Sequence, residues 1–468
     1  MISASALWNA RAKAGIGPGG LVIRFVIAGY GRVFTTTRST IPTDLAWISE
    51  GNAGQLTMSV NDLEGSHTCS DLSITVLDYQ GQLTQDFQNG INLLGRQVTI
   101  QAGFPGMPAS QFITLMTMIV DHIDLANQNT AYKFTMRDNS LLLNQFAYTV
   151  ADDGYPTGNN HRATVQGTPM SILESAVLQS GLPAANVNTA AIALLNTYVY
   201  FGLNFRFTVS YPPSAKGFME GEILKPLGAY WFWNNLGQLT PFSMLPWQAP
   251  TSVFTLDRTN IAFDTPPTPT RSTDYTSVVT YRMDGDPNGQ NYQTILVGAY
   301  APAINLYGVS QMRSIQSRGV RSNLGGARIA HLCWQNIFRR YGLKPLTLKI
   351  RCFTPAMLVE ISDKVTLNHE LIPNGMFLPQ FRMLGPQGTR IPLGIQNTLW
   401  EVKGKTIDLN RGTTELTLLD VGWQVANPVY EFAPGGEGLY PANKSSSYLF
   451  YSSPAGVYSD GSAARLIY

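Results

Sequence analysis

The chain has 468 residues, of which 44% are hydrophobic and 13% charged, with a formal net charge of +2. That length holds about two to four domains with cores of their own. The hydrophobic share excludes disorder, and a charge so near zero excludes a large basic field for nucleic acid. The charged share is about half of the usual ~25%. It fits a β-rich protein with much of its surface in subunit contacts, where charged groups cost desolvation; extracellular β-proteins are the alternative.

Residues 1–20 run from Arg11 and Lys13 into Gly15-Ile16-Gly17-Pro18-Gly19-Gly20 and are expected to be a flexible leader. They contain no apolar stretch of the kind a signal peptide needs. The GxG pattern precedes a strand and opens no helix, so it argues little for a dinucleotide site. Leu21, Ile23, Phe25 and Ile27 alternate as a half-buried strand, as do Leu72, Ile74 and Val76, and then Val98, Ile100 and Ala102. A long hairpin is predicted from Ile113 to Asp138, turning near Asn127-Gln128-Asn129. Residues 21–150 therefore read as an antiparallel β-barrel or sandwich. His67-Thr68-Cys69 offers two zinc ligands, but no second pair follows at finger spacing.

Residues 151–265 read as a small α+β domain that begins with Asp152-Asp153-Gly154. Thr168-Pro169 is an N-cap with proline at the first helical position. Met170, Leu173, Val177 and Leu178 form the stripe of that helix, and Gly181 ends it. A short helix follows over 189–195, then aromatic strands with Phe201, Phe205, Phe207 and Tyr230-Trp231-Phe232-Trp233 turning at Asn234-Asn235-Leu236-Gly237. Those aromatics could bind a carbohydrate; alternating on a strand, they are read as core. Glu220 and Glu222 are expected on a strand, too close in sequence to argue for a glycosidase pair.

Pro266-Pro267-Thr268-Pro269 opens a connector, residues 266–343. It should carry a hairpin (275–283 with 291–299) and the longest helix, from Ser322 to Tyr341, capped by Gly342. The hairpin loop places Asp284, Asp286 and Asn288 at calcium-loop spacing. Its twelfth position, Ile295, cannot supply the bidentate glutamate, so a plain turn is expected. Ala330, Trp334, Ile337, Phe338 and Tyr341 are the expected buried stripe of the helix, with His331 beside it. Arg339 and Arg340 suit the dipole at its end.

Residues 344–426 repeat the first barrel. Leu346, Leu348, Ile350 and Cys352 alternate, and then Lys364-Val365-Thr366-Leu367 matches Gln97-Val98-Thr99-Ile100. Ile407-Asp408-Leu409 matches Ile123-Asp124-Leu125, and Glu415–Asp420 matches Tyr132–Asp138. Measured from Ile100 to Ile123 and from Leu367 to Ile407, the second copy is longer by 17 positions, placed in a Gly- and Pro-rich loop over 370–396. Residues 427–468 are rich in Tyr, Ser and Gly. They read as an arm that orders on another chain, with Tyr440, Tyr448, Phe450, Tyr451 and Tyr458 as partner-binding anchors.

No chemistry emerges. The chain has no GxSxG, HExxH or P-loop, and its histidines are scattered. Cys69, Cys333 and Cys352 are odd in number and form no CxxC, which argues against a disulfide framework and fits assembly in a cytoplasm. No run approaches the ~20 apolar residues of a membrane span, so no stable membrane insertion is expected. No enzyme activity, metal or cofactor is predicted.

The order is a barrel, an α+β insert, then a second related barrel preceded by a helix. It resembles the baseplate or tail-tip hub proteins of tailed bacteriophages. Gly95-Arg96-Gln97-Val98-Thr99-Ile100 with Gly103-Phe104, and Phe134–Asp138 with Ser140-Leu141-Leu142, look like that family's first barrel. Thr168-Pro169-Met170-Ser171-Ile172-Leu173-Glu174 looks like the opening helix of its middle domain. Tyr307-Gly308, Ser317–Ser322, Glu360–Val365 and Leu418-Leu419-Asp420 look like its second half. The resemblance implies a structural virion protein at the tail tip, a homotrimer whose two barrels per chain form a pseudo-sixfold ring. Its implied neighbours are a distal tail ring protein, a tape measure protein, and a central tip fibre or receptor-binding proteins, with viral DNA passing through the lumen on ejection. An appended lysozyme domain and the cysteines of an iron–sulfur cluster are missing, so neither role is implied. Symmetry argues the same way: a trimer meets a sixfold tube without wasted contacts when each chain offers two similar faces. The rivals are a receptor- or glycan-binding tail protein using the aromatic middle domain, and a secreted β-enzyme. The second copy, with its loop and arm, is the expected place for tip-specific contacts, and the first for a tube-like face.

Overall fold

The computed structural model describes residues 1–421, apart from 15–19, 38, 50, 128–129, 148–162, 210–212, 245–250, 263–266, 273–274, 287–289 and 374–393, together with 429–430 and 466–467. The chain is mainly β with helical inserts, as its alternation predicts.

The first nine strands are β1 (Val22–Ile27), β2 (Val33–Thr35), β3 (Asp44–Leu45), β4 (Gln55–Asn61), β5 (Ser66–Cys69), β6 (Leu72–Leu77), β7 (Gln97–Gly103), β8 (Ile113–Ala126) and β9 (Ala131–Arg137). Seven of them make one sheet in the order β3-β2-β1-β7-β8-β9-β6. Inward positions take the apolar residues: Leu72, Ile74 and Val76 on β6, and Val98, Ile100 and Ala102 on β7, are all buried.

The hairpin β4–β5 leaves this sheet. β4 pairs instead with a strand near the other end of the chain, described below. The N-terminal segment also departs from expectation, because Ala6–Lys13 is a helix rather than part of a flexible leader. Ser5 caps it by accepting from the Trp8 amide at 3.1 Å, and the buried Trp8 indole donates to the Ala102 carbonyl at 3.3 Å. One large aromatic side chain in the core supplies on the order of 3 kcal/mol, enough to order a short helix with no apolar stripe.

The middle segment contains β10 (Ala163–Gly167) paired with β11 (Phe205–Val209), and β12 (Ala229–Trp233) paired with β13 (Leu239–Ser243). Helices Pro169–Gln179 and Thr189–Leu194 lie where predicted. Thr168 precedes the first in extended geometry, but its hydroxyl meets Ser171 Oγ at 2.6 Å and caps no amide.

The remaining strands are β14 (Phe254–Asp257), β15 (Thr270–Arg271), β16 (Val278–Gly285), β17 (Tyr292–Ala299), β18 (Met312–Gln316), β19 (Leu346–Cys352), β20 (Lys364–Pro373), β21 (Gly394–Asp408), β22 (Thr413–Asp420), β23 (Val429–Tyr430) and β24 (Leu466–Ile467). The second sheet runs β14-β20-β21-β22-β19-β15, with β4 and β5 joined to it through β21. A separate sheet has the order β17-β16-β18, and β23 pairs with β24.

The ends of the expected 370–396 loop are strand: β20 runs to Pro373, β21 starts at Gly394, and Ile372 and Ile395 are buried. The rest of that loop, and the anchors Tyr440, Tyr448, Phe450, Tyr451 and Tyr458, lie outside the described residues.

The longest helix runs Gly326–Tyr341 after a short turn at Ser322–Leu324. Its buried face is Ile329, Ala330, Cys333, Asn336, Ile337 and Arg340, so Trp334, Phe338 and Tyr341 sit to one side of the face expected to hold them. His331 is exposed and stands edge-on to the Trp334 ring, 4.9 Å away.

Candidate functional site

The four strands β7-β8-β9-β6 and the four strands β20-β21-β22-β19 have the same order, and every neighbouring pair in both is antiparallel. The likeness extends to single residues. Val98 pairs with Met118, and Val365 with Trp400. The ladder to the next strand is broken by a bulge at Asp121 in β8 and at Lys403 in β21. Both hairpins close over four residues, between Ala126 and Ala131 and between Asp408 and Thr413.

The turn before β7 is left-handed at Gly95 (φ 75°), and the turn before β20 is left-handed at Ser362 (φ 65°). The Gly95 amide donates to the Val120 carbonyl and the Ser362 amide to the Val402 carbonyl, both at 2.8 Å.

These registers correct the length of the insertion. The bulges and turns match Leu125, not Ile123, with Ile407. From Val98 to Leu125 is 27 positions and from Val365 to Ile407 is 42, so the second copy is longer by 15. The expected alignment was shifted by two, a shift that keeps every side chain on its own face and so leaves no trace in the alternation.

The copies differ most at the bulge. Copy one has exposed Gln97, half-buried Ile119 and half-buried Asp121. The matching residues of copy two are Lys364, Glu401 and Lys403, and they join a buried ionic cluster. Glu401, fully buried, is ion-paired to Arg340 and Lys364, and lies 3.6 Å from Lys403. Asp62, at the tip of the β4–β5 hairpin, is 2.8 Å from Arg340 Nε and 2.9 Å from Lys403 Nζ. These two contacts lie off the hydrogen-bond line and act as ion pairs. The Tyr341 hydroxyl donates to Asp62 at 2.6 Å, and the Tyr230 hydroxyl to Glu401 at 3.1 Å. Arg340 also donates to the Met244 carbonyl.

Three cations thus face two carboxylates, and aromatic faces accommodate the excess charge: Lys403 is 4.4 Å from the Tyr230 ring centre and Lys364 is 5.2 Å from that of Phe242. Burial opposes ionisation of Glu401, yet Arg340, Lys364 and Lys403 hold its carboxyl far below the usual range. Burial likewise opposes the charge on Asp62, and Lys403 and Arg340 outweigh it, lowering its pKa. Burial pushes both lysines below their ordinary value despite those carboxylates. Beside them Lys405, brought down to about 8 by burial, donates to the carbonyls of Met357 at 2.7 Å and Val359 at 2.6 Å.

Five parts of the chain meet here: the β4–β5 hairpin, the middle segment, the long helix, β20 and β21. An ion pair removed from water repays several kcal/mol of desolvation only when its geometry is good and its hydrogen bonds are made. Such a cluster adds little net stability, whereas removing one member leaves the others buried without compensation. Sequence reading missed it. Arg340 suits the helix dipole by its position, but its guanidinium points into the core, to Asp62 and Glu401. The available signal was Glu401, Lys403 and Lys405 alternating within an otherwise apolar run, in a chain with few charges.

The other candidate residues fall elsewhere. Glu220 and Glu222 lie on a wide helical turn, Met219–Leu224, not on a strand. Glu220 accepts from the Trp231 indole at 2.9 Å, and Glu222 pairs with Arg318 at 2.6 Å. His67 is buried 5.1 Å from the Trp231 ring, and burial pushes its pKa down to about 3. The Cys69 thiol is raised by burial. Asp284 accepts from Thr294 at 2.5 Å and from the Ser322 amide at 2.9 Å, tying the hairpin to the turn before the long helix, and Asp286 accepts from the Gln290 amide at 2.9 Å within its own turn; Asn288 is outside the described residues. Of the aromatics named for a glycan site, Phe205, Phe207, Tyr230, Trp231, Phe232 and Trp233 are buried, and Phe201, which lies in a turn rather than on a strand, is exposed.

Among solved structures the chain is similar to a prophage MuSo2 tail protein from Shewanella oneidensis, with a TM-score of 0.46 and 13% identity over 87% of this chain and 100% of that one. It is similar to a tail protein from Neisseria meningitidis, with a TM-score of 0.43 and 12% identity over 87% and 98%. A prophage tail protein from Listeria monocytogenes gives 0.41 and 8% over 86% and 96%. No family model matches the chain, and no curated protein sequence does.

Proposed function

We propose that the chain is a structural protein of a tailed-phage particle, a homotrimeric hub at the tail tip or baseplate. The observation that carries this reading is the duplication: one four-stranded core occurs twice in the chain, with the same order, bulge and left-handed turn. A chain with two like units makes a ring of six from three copies, the minimum needed to meet a sixfold tube on one side and threefold or single tip proteins on the other.

In this reading the lumen passes DNA on ejection. The distal tail ring and tape measure proteins lie on the tube side, and a central fibre or receptor-binding protein lies on the other. Tyr440, Tyr448, Phe450, Tyr451 and Tyr458 anchor an arm on a neighbouring chain. Assembly takes place in the host cytoplasm, and the protein has no catalytic role.

Native mass measurement of the purified chain should give a trimer, and images of labelled particles should place it at the tail tip. A monomer within intact particles, or a position along the tube or in the head, would overturn the proposal.

A further inference from the structure

The two cores differ at one strand edge. On β21, β20 pairs with residues up to Glu401, and beyond the bulge β4 takes over from Gly404 to Asp408. That side of the strand is paired on both sides of the bulge. On β8, β7 pairs with residues up to Ile119. Beyond Asp121 no strand among the described residues takes over, and His122–Ala126 pairs with β9 alone. Leu125 is 58% exposed, while its counterpart Ile407 is 0% exposed. Open edges with an apolar side chain invite a further strand, and proteins normally shield them.

A second open edge lies on the connector. β17 pairs with β16 only. Gly298 holds it against the long helix, since a Cβ there would meet the Trp334 ring at 2.5 Å. Its outward side chains include Ile295 at 53% and Val297 at 62% exposure, where an isolated surface strand would carry polar groups. Exposed Arg282 stands opposite Ile295 in the ladder. On the β8 edge the acidic groups already have partners: Asp121 is 3.3 Å from Arg137, and Asp124 is 2.8 Å from His122 with Lys133 opposite it in the ladder. What the two edges share is bare aliphatic side chains, Leu125 on one and Ile295 and Val297 on the other.

We propose that β17 of a second copy adds to β8 along His122–Ala126, placing Ile295 and Val297 against Leu125, as β4 adds to β21 within the chain. This rests on the trimeric reading. The contact joins two different surfaces, so it repeats head to tail rather than ending at a dimer, and under the threefold rotation of the trimeric reading it closes into a ring.

The test uses two full-length variants, Leu125→Cys and Val297→Cys, mixed and mildly oxidised, with mass measured in solution beforehand. Covalent dimers formed only in the mixture, and a covalent ring from the double variant, are expected. Cross-linking of either variant with itself, or a trimer without the mixed cross-link, overturns the strand pairing and leaves the trimer standing. A monomer at all concentrations overturns both. As a check independent of cysteine, Val297→Lys should weaken association at least tenfold while leaving the monomer's melting temperature in place; unchanged association would count against the proposal.

Discussion

The two cores share a backbone plan and diverge in what fills it. At the bulge, copy one presents Gln97, Ile119 and Asp121 near the surface, and copy two buries Lys364 and Glu401 with Lys403 beside them. A strand bulge re-aims one residue and breaks the ladder. In copy one that break leaves an edge open, whereas in copy two it receives a hairpin tip and a helix end. The same local geometry thus serves as a surface in one copy and as an internal joint in the other. Charge within the fold is concentrated on the joint.

The largest test of this contrast is removal of the central carboxylate. Glu401→Leu leaves Arg340 and Lys364 buried without their partner and should cost about 3–5 kcal/mol in urea unfolding. Ile119→Ala, at the matching place in copy one, should cost no more than about 1 kcal/mol. Equal losses would show that the two bulges carry the same load.

The next test is alkaline. Lys405 has a folded pKa below its unfolded value, so the folded state sheds its proton first and stability rises as pH climbs from about 8 toward ~10.4. The gain should approach about 3 kcal/mol at most, with Lys364 and Lys403 adding in the same direction. Lys405→Met should reduce the rise in urea midpoint over that window, and an unchanged rise would remove Lys405 as a source.

On the acid side the sign is reversed in origin. Asp62 and Glu401 have folded pKa values below the unfolded ones, so their contribution is present above about pH 4 and declines as pH falls through the folded values. Asp62→Asn should lower the melting temperature at neutral pH and flatten the decline below pH 4, a difference of about 2 kcal/mol between the two ends. Parallel acid limbs would contradict the pairing.

The smallest effect concerns the shared left-handed turn. Gly95→Ala should cost about 1 kcal/mol, although an added Cβ would meet nothing within 4 Å. Ser362→Gly should gain a few tenths of a kcal/mol, roughly the strain of a non-glycine residue there less the added chain entropy. Thermal melts of the two variants should move in opposite directions.

Most strands could be read in advance because half-burial imprints a period of two on the side chains. The first middle helix was readable through its proline at the first helical position and its apolar stripe. Alternation fixes a strand's face but not its partner, and this explains the surprises. Leu56, Met58 and Val60 alternate well, yet nothing local says that β4 belongs to the second sheet. The N-terminal helix had no stripe to find, since only Trp8 and Ala12 of it are buried. Arg340 was ambiguous because a helix-end cation looks the same in sequence whether it meets water or Glu401. Glu220 and Glu222 are two apart on either a strand or a helical turn, and only packing against Trp231 and Arg318 decides between them.

The β4–β21 pairing also sets a timetable for synthesis. Thr57 and Thr406, whose hydroxyls meet at 3.2 Å, are 349 residues apart. At ~5–20 residues per second the ribosome needs on the order of tens of seconds to pass from one to the other. Throughout that interval the hairpin has no strand to join, and Asp62 at its tip lacks Arg340 for most of it and Lys403 until almost its end. The first half of the chain therefore cannot finish folding as it emerges, and a fragment that stops short of β21 should be prone to aggregation through the unpaired side of β4.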